Sequence, residues 1–185
     1  MREYDKYKMG DIHWQWYYNT PEYYDLVNES LIPFKENTEL GSVVDIGCGD
    51  GLSLSFLDEW GYKCFGVDPS KTGIDLALEH NVSAEYFIEK AEKFKDRDIK
   101  FDYLYSMNTI EHLDDPQAMV EIMKKIKNYG VIITDWHGKH PDKKDSYHNI
   151  EFTPDSFKEL FKDFNLTELS LSSPRYFGFI VRNKV

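Results

Sequence analysis

The sequence predicts an α/β domain, a mostly parallel sheet with helices on both faces. Two observations lead there. From Ser42 onward, short apolar runs alternate with amphipathic stretches across short connections, and the first apolar run ends in a glycine-rich turn. Composition agrees: 185 residues, 41% of them hydrophobic, suit one compact domain with a real core.

Residues 1–40 come first, and they are crowded with rings: Tyr4, Tyr7, Trp14, Trp16, Tyr17, Tyr18, Tyr23 and Tyr24. Such a segment predicts N-terminal helix that either packs as an aromatic belt or closes as a lid over a ligand. Residues 41–185 form the α/β core. Ser42 to Ile46 reads as a buried strand, and Leu52 to Trp60 as a helix stopped by Gly61. Tyr62 to Val67 is a second strand. Ser70 caps a helix running to His80, where a histidine suits the negative end of the helix dipole. Ala84 to Ile88 and Phe101 to Met107 are the third and fourth strands. Asp115-Pro116 opens a helix in which Met119, Ile122, Met123 and Ile126 keep helical spacing. Val131 to Thr134 is the fifth strand, and Thr153-Pro154 starts a helix with Phe157, Leu160 and Phe161 on one face. Leu166 to Leu171 and Tyr176 to Val181 close the chain as an antiparallel pair at one edge.

Charge and cysteine usage narrow the partners. Lys and Arg number 22 against 33 Asp and Glu, a net charge of −11, which opposes non-specific binding to nucleic acid or an anionic membrane. Cys48 and Cys64 offer neither a disulfide framework nor a metal-binding pair. The start, Met1-Arg2-Glu3-Tyr4-Asp5, is too polar for a signal peptide, and no apolar run is long enough to cross a bilayer. The expectation is a cytoplasmic protein, monomeric or homodimeric, without nucleic-acid or membrane partners.

In a parallel sheet of this kind ligands bind beyond the carboxyl ends of the strands, so the informative residues follow the strands. Asp45-Ile46-Gly47-Cys48-Gly49-Asp50-Gly51 joins the first strand to the first helix. Glycine there permits a sharp turn and close approach of a ligand to the main chain. Asp68 ends the second strand 21 residues after Gly47, the spacing at which a carboxylate accepts both ribose hydroxyls and repels a 2′-phosphate. The pattern is Gly-x-Gly-x-Gly rather than the Gly-x-Gly-x-x-Gly of dinucleotide sites, and Asp50 would repel a pyrophosphate. An adenosyl ligand without phosphates fits best.

With these motifs the chain resembles the class I S-adenosylmethionine-dependent methyltransferases from about Val43 to Val181. The run Phe101 to Pro116, with Met107-Asn108-Thr109-Ile110-Glu111-His112 at its centre, is nearest to the ubiquinone-pathway type of small-molecule O-methyltransferase. The resemblance implies a Rossmann-like, seven-stranded sheet with an antiparallel last strand. It also implies S-adenosylmethionine as cofactor, held by Asp45, Gly47, Cys48, Gly49, Asp68, Pro69, Ala91, Glu92 and Met107. Lys90 stands where the family usually has the Asp that reaches the adenine, which leaves that contact to Ala91 or Glu92. In those relatives a Glu-x-x-Glu-His turn can bind a divalent metal. Asn108 replaces the first Glu here, so no metal is expected.

The implied reaction is methyl transfer to a small-molecule acceptor, at a hydroxyl oxygen. A hydroxyl acceptor needs a base, and histidine is suited to it at neutral pH. His137, directly after the fifth strand, is the first choice, with His112 and His148 next, His140 in the same loop, and His13 and His80 as outsiders. Two other functions remain open: methylation of a protein or nucleic acid, and a non-catalytic scaffold that binds the cofactor.

Overall fold

A computed structural model describes residues 3–136 and 148–184. Seven strands form one sheet in the order β3-β2-β1-β4-β5-β7-β6. They are β1 (Ser42–Ile46), β2 (Lys63–Val67), β3 (Ala84–Phe87), β4 (Phe101–Met107), β5 (Ile126–Asp135), β6 (Phe164–Glu168) and β7 (Tyr176–Asn183). β3, β2, β1, β4 and β5 run parallel, and β7 inserts antiparallel between β5 and β6.

The helices are α1 (Ile12–Asn19), α2 (Pro21–Lys35), α3 (Leu52–Glu59), α4 (Lys71–Glu79), α5 (Ala91–Phe94), α6 (Gln117–Met123) and α7 (Pro154–Leu160). Two short 3-10 segments, Glu3–Met9 and Ile110–His112, complete the elements. No described helix is long and apolar enough to cross a membrane.

Strand side chains alternate between faces, and here both faces are dry. Val43, Cys64, Tyr103 and Val131 join one buried cluster with Leu26, Leu31 and Phe34 of α2 and Leu54 and Leu57 of α3. Their neighbours Val44, Phe65, Leu104 and Ile132 join the other, with Phe94, Met119, Met123, Phe157 and Phe161 from α5, α6 and the α7 region. α2 is thus core: Leu26, Val27 and Phe34 are essentially fully buried.

The predicted strand and helix order holds, with local differences. Ile126 keeps the spacing of α6 yet begins β5, because the helix ends at Met123 and β5 is longer than its apolar centre suggests. β6 begins at Phe164 and stops at Glu168, short of Leu171. Ser70 does cap α4, accepting from the Gly73 amide at 3.1 Å, and Thr153 and Ser156 form a reciprocal cap on α7.

Strand order reverses at β1, which pairs with β2 on one side and β4 on the other. The crevice that a parallel sheet opens at such a point lies beyond Ile46 and Met107.

Candidate active site

A cavity of about 1120 Å³ occupies that crevice, and every predicted cofactor-binding residue lies on its wall except Gly49, which adjoins it. The floor is the glycine turn. Gly47, Gly49 and Gly51 have φ of +82°, +51° and +79°, left-handed values that favour glycine. The amides of Gly47 and Cys48 both donate to the Val67 carbonyl, at 2.7 and 3.2 Å, which ties the turn to the end of β2. A Cβ on Gly47 would collide with Thr109, and one on Gly49 with the Tyr7 hydroxyl.

Asp68 stands beside this turn, buried, with one oxygen accepting from the Gly49 amide at 3.0 Å and the other from the Ser70 amide at 2.7 Å. A carboxylate oxygen carries more than one lone pair, so accepting from an amide does not by itself bar a ligand hydroxyl. Asp45 lies deeper, and burial, then the Asp68 charge, pushes its carboxyl well above the usual carboxylate range. Burial also pushes the Cys48 thiol up, which makes it a packing group rather than a thiolate.

Further along the wall, Lys90 pairs with Asp114 at 2.6 Å, both of them lining the cavity. Ala91 is buried at the start of α5, and Glu92 accepts from the Asp114 amide at 2.8 Å. Its second oxygen, Oε2, is buried without a hydrogen-bond partner. Met107 ends β4, and the Tyr105 hydroxyl donates to its sulfur at 3.4 Å.

The same cavity is lined by a second polar group. Glu111 and His112 lie on the 3-10 segment after β4, and His148 re-enters from a distant part of the chain. Three bonds make that meeting possible: the Asn149 and Ile150 amides donate to the Glu111 carbonyl at 2.9 and 3.1 Å, and Asn149 Nδ2 donates to the His112 carbonyl at 2.8 Å. The two imidazoles meet edge to face, centroids 4.9 Å apart. Glu111 is fully buried, and neither carboxylate oxygen has a hydrogen bond of ordinary geometry, although Thr134 and the Asp135 amide lie near enough to act on it. Burial raises its carboxyl to about 7, against smaller opposing effects led by His112. Asn108 adopts the left-handed φ of +51° beside this group, its Oδ1 buried and unpartnered.

One donor atom from each of Glu111, His112 and His148 lies within 4.8 Å of the others. Two imidazoles and a carboxylate are a divalent-metal donor set. His112 and His148 are therefore together, with Glu111 as a partner that a choice of base confined to histidines leaves out. Its signal was present in the sequence: a Glu directly after an apolar residue at a strand end, bound for burial. His137 and His140 lie outside the described residues. His80 pairs with Asp11 at 2.9 Å and stacks on Trp14, as expected of a structural residue.

Residues 16–171 match the sequence family described as a methyltransferase domain. The ubiquinone biosynthesis O-methyltransferase of Chelativorans sp. (strain BNC1) is 37% identical over 83 residues, 43% of this chain and 33% of that protein. The enzyme of the same name from Bartonella quintana (strain Toulouse) is 34% identical over 108 residues, 56% of this chain and 42% of the relative. These matches span well under half the length of those relatives. Among solved structures, magnesium protoporphyrin IX methyltransferase from Synechocystis PCC 6803 with bound SAH (S-adenosylhomocysteine) superimposes with a TM-score of 0.70 at 14% identity, covering 98% of this chain and 97% of that one. At that identity the likeness is one of fold.

Proposed function

The chain belongs to the methyltransferase domain family, and from that premise we propose that it moves a methyl group from S-adenosylmethionine to a hydroxyl oxygen of a small-molecule acceptor. The observation that carries this reading is one cavity lined by two unlike groups, a glycine turn with Asp68 and the trio Glu111, His112 and His148. The names of the partial relatives and the SAH in a structural neighbour support it.

When bound, the cofactor supplies an electrophilic methyl on a sulfonium. Asp68 would accept the ribose hydroxyls through its remaining lone pairs, and Gly47 and Gly49 would let the ligand lie on the main chain. The unpartnered Glu92 Oε2 and the wall at Ala91 fit the adenine edge, with Pro69 beside them on the same wall. Met107, whose sulfur accepts from the Tyr105 hydroxyl, lines the same cavity and would lie beside the sulfonium. There the work is to orient the acceptor, exclude water and accept a proton, which His112 and His148 do with Glu111 behind them. Trp16 and Tyr23 cover the cavity from the N-terminal side, which gives the lid reading of residues 1–40 its structural basis.

The test uses methyl-labelled S-adenosylmethionine and a whole-cell extract, separated afterwards into small-molecule, protein and nucleic-acid fractions. Label in the small-molecule fraction with matching release of S-adenosylhomocysteine supports the reading. Label in protein or nucleic acid replaces the acceptor class, and tight cofactor binding with no transfer to any fraction favours a scaffold. His112→Ala and His148→Ala should each slow transfer with cofactor affinity kept, the base among them by about 10²–10⁴-fold. If His137→Ala alone carries that loss, the base is His137.

The donor set at Glu111, His112 and His148 favours a second reading, in which a divalent cation polarises the acceptor oxygen. It predicts activity lost to a chelator and restored by the ion.

A further inference from the structure

A second cavity, of about 560 Å³, shares no lining residue with the larger one. α1 stands between them: Ile12, His13 and Trp16 line the first, and Trp14, Tyr17 and Tyr18 line the second. Tyr24 of α2 and Phe56 of α3 complete its wall of five rings. Tyr17 is the buried hub, with the Tyr24 centroid at 4.9 Å and those of Tyr18 and Phe56 at 5.4 Å. Tyr18 and Tyr24 are 71% and 48% exposed, so these two rings serve the rim rather than the core.

The wall is fixed from behind. Trp14 donates its indole N–H to the Asp50 carbonyl at 3.0 Å and stacks on His80 at 4.1 Å. The Tyr17 hydroxyl accepts from Asn28 Nδ2 at 3.3 Å. A cavity whose rings are held this way loses little freedom when a ligand enters.

Its charge has one sign. Glu59 lines it, and among the described lining residues there is no lysine or arginine. Glu59 is exposed and has no ion-pair partner among the described residues. It is also the last residue of α3, at the negative end of the helix dipole, where a carboxylate is unfavourable and a cation is favoured. Ring faces attract positive charge as well. What the wall lacks is hydrogen-bonding capacity, because beyond Glu59 it is mostly ring carbon, and Ser55 Oγ is turned to the Leu52 carbonyl at 2.6 Å. A primary ammonium brings three donors and a guanidinium five, and each one buried without an acceptor costs binding energy. A quaternary ammonium brings none and spreads its charge over methyl groups that pack on rings.

We infer that this aromatic cavity binds a small-molecule quaternary ammonium, with the methylated head against Trp14, Tyr17, Tyr18, Tyr24 and Phe56 and its charge balanced by Glu59. The volume is that of a small-molecule site. The inference stands apart from the cofactor and acceptor proposed for the larger cavity.

Choline is the probe. Its comparisons are 3,3-dimethylbutan-1-ol, the uncharged carbon isostere, and ethanolamine, the unmethylated form. Calorimetric titration of the full chain should find choline bound about tenfold or more tightly than either. Tyr18→Ala and Glu59→Gln should each weaken choline by about threefold to thirtyfold, the range for one contact to a cation. Both side chains are exposed and line this cavity alone, so thermal melts should be unchanged and the losses locate the ligand. Absence of choline binding, equal binding of either comparison compound, or unchanged choline affinity in either variant overturns the inference. A trimethyllysine peptide that binds far more tightly than choline also overturns it, and makes the ligand a methylated protein.

Discussion

Beside the glycine turn two buried carboxylates, Asp68 and Asp50, have hydrogen-bond partners, and after β4 a third, Glu111, has none of ordinary geometry. Asp68 accepts from two backbone amides, and Asp50 spends both oxygens on His13. After β4, both oxygens of Glu111 and the amide oxygen of Asn108 are buried without hydrogen bonds. A buried polar atom without a partner costs about 1–3 kcal/mol, so a fold that keeps several in one place has kept them for something other than stability. The first region is a prebuilt cradle. The second is a group of atoms whose partners arrive with the acceptor, a proton or an ion.

The largest predicted effect breaks the cradle. Gly49→Val forces a side chain into a left-handed turn and into Tyr7, so calorimetry should detect no binding of S-adenosylhomocysteine. Normal binding would mean that the ligand does not lie over this turn.

Glu111→Gln sharpens the other side. Burial raises the Glu111 carboxyl to about 7 in the folded protein, above its ordinary 4.5. The folded state then holds a proton that the unfolded chain has released, and the associated stability is intact below pH 4.5 and lost as pH rises through about 7. Above that, the buried charge costs about 3 kcal/mol, because each pH unit between the two values is worth about 1.4 kcal/mol. Denaturant melts at pH 8 should therefore find Glu111→Gln more stable than wild type by roughly that amount, with the gap closing near pH 4.5. A constant gap would show that Glu111 has partners enough to remain charged.

Asp68→Ala should weaken cofactor binding by roughly 1.5–3 kcal/mol, the range for hydrogen bonds to a charged group. Unchanged affinity in a folded variant would remove Asp68 from the cradle. The smallest expected effect is that of a chelator. With Asn108 in place of a carboxylate, chelation should leave transfer unchanged. Inhibition reversed by a divalent ion would make the unsatisfied group a metal centre.

The same contrast explains what was legible in the sequence. The cradle is local: Asp45 to Gly51 is one turn, and Asp68 follows one helix and one strand later, so spacing alone places it. The strands read well because β1, β2, β4 and β5 carry apolar runs buried on both faces. Ile126 misled because helical spacing cannot register a chain that leaves the helix and enters a strand within three residues. The unsatisfied group was only half legible. Glu111 and His112 are adjacent, but His148 reaches them through backbone hydrogen bonds from residues 149 and 150, a meeting that no periodicity encodes. The pairing of His13 with Asp50 was hidden for the same reason, since the two lie 37 residues apart.

The most direct test of the proposed division of the cavity between cofactor and acceptor is a crystal structure of the chain with S-adenosylhomocysteine. The predicted result places the ribose on Asp68 and the adenine against Ala91 and Glu92, with the sulfur directed past Met107 toward Glu111, His112 and His148. A ligand whose sulfur faces away from that group, or that lies outside the glycine turn, would contradict the account.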